Sequence, residues 1–296
     1  MSQYAVRDWD IAPAGDTVYQ YDFYWTELNT TARVDGQGWE GKKDLLRYQT
    51  VFFTAPDDTA GTSFLNVWSY DQREFPLLKG YLPAFRRVRD FPTNQRFEPI
   101  VPGTTLFLSD VWAAGDPMLT WGNHRIVERK PMLGVVSGRN FFGGYHDNWE
   151  KTTHGGPKGH TFLDTWMELI PEVLVVDSEP TGYPRAPVGK KRVWIDARNG
   201  MYIAYNTYDR RGEIWKSFEP HYAQYANDKT TIMDHTGHPV WSWTSIMSHD
   251  IQANRMSQIC QVREVRGGYK SDRGPGSTEV YNKFLTTQAI QRLGKV

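Results

Sequence analysis

Hydrophobic residues in this chain fall mostly at every second position, the spacing of strands with one buried face. Residues 17–34 give the clearest case. Tyr19, Tyr21, Phe23 and Trp25 share one face, with Gln20, Asp22 and Thr26 opposite. Residues 44–55 and 62–71 read as two further strands, with Pro56, Asp57, Asp58 and Gly61 as turn residues between them. Three arginines interrupt the pattern at 86–89. Residues 90–105 read as a loop, 106–112 as a short helix or a strand, and 124–137 as a strand edge broken at Pro131.

From residue 166 the alternation strengthens. Strands are expected over 166–178, 192–197, 201–208, 213–219, 229–236, 239–246 and 255–265. Asn199-Gly200 joins two of them as a hairpin, because both residues tolerate positive φ. Helix signals are few. Over 278–293, Tyr281, Phe284, Leu285, Ala289 and Leu293 form a stripe at helical spacing. Ser277 or Thr278 suits its N-cap, and Gly294 a left-handed C-cap. Residues 219–227 read as a short helical turn. The pattern amounts to about nine to eleven strands in a mostly β (α+β) chain, which is a large antiparallel sheet. A sheet of that size must curl. The expected product is an open half-barrel covered by a few helices and loops, in one domain over 1–296. Residues 138–165, rich in Gly and His, read as an irregular lid-like insertion.

Composition sharpens this in one respect. The 296 residues include 12 Trp, 16 Tyr and 14 Phe. Aromatics at alternate strand positions are most simply core packing, but flat rings with a polar handle also line ligand cavities. The 34 basic and 34 acidic residues balance, which argues against broad nucleic-acid binding. There is no uncharged apolar run of roughly 18 residues, so no transmembrane helix is expected. The start MSQYAVRDWD lacks the basic-then-apolar order of a signal peptide, which reads as cytoplasmic if that start is native.

Candidate chemistry is thin. His146, Asp147, Glu150, His154, His160 and Asp164 cluster in sequence, but the spacing matches no short metal motif. No metal and no cofactor is therefore expected. His249-Asp250 could supply acid–base groups, yet neighbours on a strand point to opposite faces. Asp234-His235 and His238 flank a turn with the same drawback. Arg86, Arg87 and Arg89 read either as an anion site, with Asp110, Glu172 and Asp196 as candidate partners, or as charges protecting an edge strand. The lone Cys260 shares its face with Met256 and Val262 and is expected in the core.

Some stretches resemble a known family. They are Lys191-Arg192-Val193-Trp194-Ile195-Asp196, then Tyr202 to Tyr205, then Tyr208-Asp209-Arg210-Arg211-Gly212-Glu213-Ile214-Trp215-Lys216. Looser matches are Trp68-Ser69-Tyr70-Asp71, followed downstream by Arg86-Arg87-Val88-Arg89, and the tail from Phe284 to Gly294. Together they resemble the bacterial domain-of-unknown-function family thirteen-twenty-nine, which is similar to outer-membrane lipoprotein-sorting proteins. The resemblance implies a LolA/LolB-like fold with helices plugging a hydrophobic cavity, and a periplasmic or outer-membrane location. It brings no catalytic residues.

The leading expectation is a carrier or sorting protein for a hydrophobic or amphipathic small molecule: a lipid, terpenoid, sterol or aromatic. Tyr21, Phe23, Trp25, Tyr48, Phe53, Trp68, Trp194 and Trp243 would line its cavity, and Arg86, Arg87 and Arg89 would meet an acidic head group. The alternative is an enzyme (lyase, isomerase or hydrolase) acting on an apolar substrate in the same cavity, with acid–base groups from His146, Asp147, His154, His160, His249 or Asp250. A scaffolding subunit with exposed aromatics at an interface is a third reading. Oligomeric state is left open.

Overall fold

The computed structural model describes residues 1–31, 33, 38–92, 96–99, 101–110, 115–136, 147–224, 226–227, 230–234 and 236–295. The first six strands are β1 (Ser2–Ile11), β2 (Thr17–Asn29), β3 (Leu45–Ala55), β4 (Ser63–Ser69), β5 (Leu77–Leu82) and β6 (Arg87–Phe91). The next seven are β7 (Gly122–Gly134), β8 (Glu168–Glu179), β9 (Val188–Asp196), β10 (Tyr202–Asp209), β11 (Ile214–Gln224), β12 (Trp241–Asp250) and β13 (Arg255–Val262). A short β14 (Asp272–Arg273) pairs with β1.

The strands form one antiparallel sheet in the order β6-β5-β4-β3-β2-β1-β13-β12-β11-β10-β9-β8-β7. It is two meanders, β1–β6 and β7–β13, joined where β1 pairs with β13. The free edges, β6 and β7, are consecutive in sequence. The connection between them, residues 92–121, therefore runs from one edge of the sheet to the other.

The sheet curls. Trp25 of β2 shares a buried cluster with Ile170 and Val173 of β8, strands far apart in the sheet order. That cluster marks the concave face. Along β2 and β3, Phe23, Trp25, Val51 and Phe53 point inward, while Tyr24, Tyr48 and Phe52 point outward, as period two demands. The outward set packs against α1 (Thr278–Phe284) and α2 (Thr287–Leu293).

Several expectations change here. The C-terminal helix is two helices, because Thr286 restarts the chain by accepting a hydrogen bond from Ala289 N. Both helices cover the outer face, not the concave one. Gly294 is not left-handed (φ −82°). It is needed because a Cβ there would meet the Tyr81 ring at 2.1 Å. Residues 219–224 continue β11 instead of turning. Pro220 is tolerated because β10 has already ended its pairing at Phe218. Pro131 does not break β7, which lies at an edge where a missing N–H costs nothing. Residues 106–110 form neither helix nor strand, apart from one bridge at Phe107.

Candidate functional site

The described residues of the connection between β6 and β7, 96–99, 101–110 and 115–121, lie as a strap across the concave face. Tyr21 of β2 donates its hydroxyl to Pro102 O at 2.6 Å. Thr105 N donates to Ser257 Oγ of β13 at 2.9 Å, and the Thr105 and Ser248 hydroxyls pair at 2.6 Å. Further along, buried Lys216 of β11 donates to Thr105 O and pairs with Asp110 at 3.3 Å. Lys191 of β9 donates to Ser109 O. Arg96, fully buried, holds the strap's own fold by pairing with Asp116, which also accepts from Trp121 Nε1 at 2.8 Å. Burial lowers the pKa of both Lys191 and Lys216, while Asp116 and Asp110 respectively oppose the shift.

Between the strap and the first meander lies a cavity of about 270 Å³. Its floor is Phe23 and Trp25 of β2, Val51 and Phe53 of β3, and Phe64 of β4. Leu78 and Phe91 close it toward the edge. Val101, Leu106 and Leu108 of the strap form its roof. Four polar residues interrupt this apolar wall: Asp8, Asn66, Glu98 and Thr104. An apolar cavity of ~150 Å³ takes up benzene, so this one has room for a larger apolar body.

Asp8 and Asp10 lie on one face of β1, pointing inward. Burial raises the Asp8 carboxyl well above the ordinary carboxylate range, and the neighbouring Asp10 pushes it further. Burial also raises Asp10 to about 6, despite the Ser257 hydroxyl bonded to it and the charge of Arg255. Tyr21, opposite Asp8 in register, is raised to about 12 by burial first and then by Asp10.

The anticipated residues divide. Phe23, Trp25 and Phe53 line the cavity. Tyr21 packs edge-on against Phe53 beneath the strap. Trp243 lies in the concave core, 6.1 Å from the Trp25 ring, and half-buried Trp194 packs on the same core. Trp68 is buried under Arg47, whose guanidinium lies 4.4 Å from its ring. Tyr48 points to the outer face, where Lys42 and Tyr281 meet it.

Arg86, Arg87 and Arg89 do not line the cavity. Arg87 and Arg89 stand exposed on the edge strand β6, and Arg86 ends the turn before it. Their proposed partners are engaged elsewhere: Asp110 with Lys216, Glu172 with Arg129, Asp196 with Arg198.

His146 lies outside the described residues. Asp147, His154 and His160 are exposed, and Glu150 pairs with Arg7. Among the described residues no three His, Cys, Asp or Glu gather as a metal site. The described part of the insertion packs on the outer face of β1 and β13, through Arg7–Glu150 and Gln258 to Thr161 O, away from the cavity. His249 contacts Asn254, while Asp250 accepts from Trp215 Nε1, so the two do not pair. His235 also lies outside the described residues, and His238 bonds within its own turn. Cys260 is buried as expected.

Sequence reading missed a Glu219–His221–Ser245 chain, with His221 bonded to Ser245 at 2.6 Å and to Glu219 at 3.1 Å. Ser245 is fully buried and none of the three lines the cavity, so the chain serves cross-strand pairing. It also missed Asp8 and Asp10. Two acids at alternate positions beside Tyr4 and Val6 were the available signal, since charges on the apolar face of a strand need a reason.

An open antiparallel half-barrel with an apolar cavity under a strap is the class this fold and site define. The chain belongs to the family described as "Protein of unknown function (DUF1329)", whose profile matches residues 1–291. Among solved structures, a Vibrio parahaemolyticus domain named for outer-membrane lipoprotein sorting is similar. It shares 16% identity over 98% of this chain and 92% of its own, with a TM-score of 0.59. A DUF1329 family protein from Desulfovibrio piger shares 12% over 95% and 88%, with a TM-score of 0.57. A LolA superfamily protein from Nitrosomonas europaea aligns more loosely, at 11% over 89% and 86%, with a TM-score of 0.46. No curated protein matches the chain significantly. No helix among the described residues is long and apolar enough to cross a membrane.

Proposed function

We propose that this protein carries an apolar or amphipathic small molecule, a lipid in the broad sense, in the cavity between β1–β6 and the strap. The observation that carries this reading is the cavity itself: about 270 Å³ of unfilled, mostly apolar space on the concave face of the half-barrel. Cores normally fill such space with side chains, so an apolar void of this size suits a guest. Affinity would come from apolar burial at about 25 cal/mol per Å². The likeness to a domain named for lipoprotein sorting supports the reading without specifying a guest.

The test is binding of the uncharged dye N-phenyl-1-naphthylamine, followed by its fluorescence. The wild-type protein is expected to bind it saturably. Val51→Trp, which pushes a ring into the cavity, should weaken binding about tenfold or more with a stability change within ~1–3 kcal/mol. Equal binding by both proteins would move the dye, and the function, elsewhere.

A further inference from the structure

The cavity wall holds buried polar atoms that the protein leaves unused. Asp8, 3% exposed, lines the cavity, and its Oδ1 has no hydrogen-bond partner among the described residues. Asn66 Oδ1 and Trp25 Nε1, also on the wall, are in the same condition. An unsatisfied buried polar group costs about 1–3 kcal/mol, so three on one cavity wall call for a common reason.

The sign of the wall limits what that reason can be. Asp8 and Glu98 contribute carboxyls, and no Lys, Arg or His is among the described residues lining the cavity. An anionic head group would enter with no countercharge and with carboxyls beside it. The edge arginines cannot supply one, because they lie outside. At Asp8 the wall instead offers an unbonded acceptor, Oδ1, to a polar group that can donate a hydrogen bond without bringing a negative charge. A hydroxyl is the simplest such group.

We propose that Asp8 recognises the polar end of the carried molecule, and that this end is an uncharged hydroxyl on an apolar body. The proposal rests on the carrier reading and narrows it: long-chain alcohols, terpenols and sterols fit, whereas fatty acids and phospholipid head groups do not. Register places Asp8 level with Tyr21, one residue beyond the Asp22–Ala55 pair, and Asn66 level with Gln49 and Glu27. The two acceptors thus sit at opposite ends of the cavity along the strands, and an elongated guest reaches Asp8 with one end. Burial and Asp10 raise the Asp8 pKa, so an anionic guest beside it could bind only with the Asp8 proton already in place, a cost that an amide at this position does not carry.

The experiment is competition against N-phenyl-1-naphthylamine by three probes of one chain length: 1-dodecanol, dodecanoate and dodecylamine. It uses the wild type, Asp8→Asn and Asp8→Leu, with thermal unfolding checked for each. Dodecanol is expected to bind at least tenfold more tightly than dodecanoate. Asp8→Leu should weaken dodecanol about tenfold. Asp8→Asn should hold dodecanol within about threefold, since the amide still donates and accepts, while dodecanoate gains. That change of selectivity is one that a purely structural role would not produce, and Asp8→Asn reads it even if Asp8→Leu fails to fold.

The proposal falls if dodecanoate binds best, or if the alcohol-to-acid ratio is the same in Asp8→Asn as in the wild type. It falls equally if dodecylamine binds best and Asp8→Asn abolishes it, which would mean recognition of a cation. If neither the dye nor any probe binds, the carrier reading itself fails.

Discussion

Beneath the strap, the two meanders treat buried charge in opposite ways. On the β1–β6 side the concave face is apolar and partly empty. Among the described residues its two β1 carboxyls make no ion pair: Asp8 leaves Oδ1 unbonded, and Asp10 accepts from a neutral hydroxyl, Ser257, while Arg255 acts on it through charge alone. On the β7–β13 side the remaining cavity is smaller, about 110 Å³, and the buried charges are matched. Lys216 meets Asp110, Lys191 reaches Ser109 O, and Arg96 meets Asp116. The strap is fastened on one side and roofs a space on the other. Matched buried charge holds chain in place, whereas unmatched buried charge costs stability and implies a use.

The largest expected effect breaks the fastened side. Lys216→Met keeps the side-chain volume but strands Asp110, and should cost about 3–5 kcal/mol in urea unfolding. Adding Asp110→Asn should recover much of that loss. A cost below ~1 kcal/mol would mean that the pair does not fasten the strap.

A smaller effect tests the unmatched side. Asp10 titrates near 6 when folded, against 3.8 as its ordinary value. The folded state therefore holds its proton to higher pH than the unfolded chain does. Stability from this group is full below about pH 4 and is lost as pH rises through about 6. Asp10→Asn should remove a fall on the order of 2–3 kcal/mol across that window, read from pH-dependent denaturation. An unchanged slope would mean that Asp10 is effectively paired, and the contrast between the halves would weaken. The carboxylates with lowered pKa, such as Asp71 and Asp209, act below this window, whereas Asp8, also raised, adds a loss of the same sign, so the Asp10 share is read as the difference between Asp10→Asn and the wild type.

The smallest effect concerns the outside. Arg87→Ser with Arg89→Ser should leave dye affinity unchanged and stability within about 0.5 kcal/mol, because both are exposed on an edge strand. Loss of solubility would agree with edge protection. A drop in affinity would return the arginines to the ligand site.

Much of the fold is legible in the sequence because period two is a local property. Tyr19 to Trp25 alternate whatever surrounds them, and the Asn199-Gly200 turn pairs its neighbours directly. β1 escaped because Asp8 and Asp10 occupy inward positions where apolar residues are expected. The cavity was half legible. Phe23, Trp25 and Phe53 line it, but Tyr48, equally aromatic, faces the helices. Alternation says which residues share a face, not which face is concave.

The sequence by itself determined the large antiparallel sheet, its aromatic faces, the buried Cys260 and the family resemblance, since each depends on neighbours along the chain. Only the tertiary structure decided that both helices lie outside, that the described residues between β6 and β7 strap the concave face, and that the described cavity wall carries acids instead of arginines. Those outcomes depend on contacts such as Thr105 with Ser257 and Ser248, or Lys216 with Asp110, between residues more than a hundred positions apart. Curvature of the whole sheet brings them together, and no local spacing encodes it.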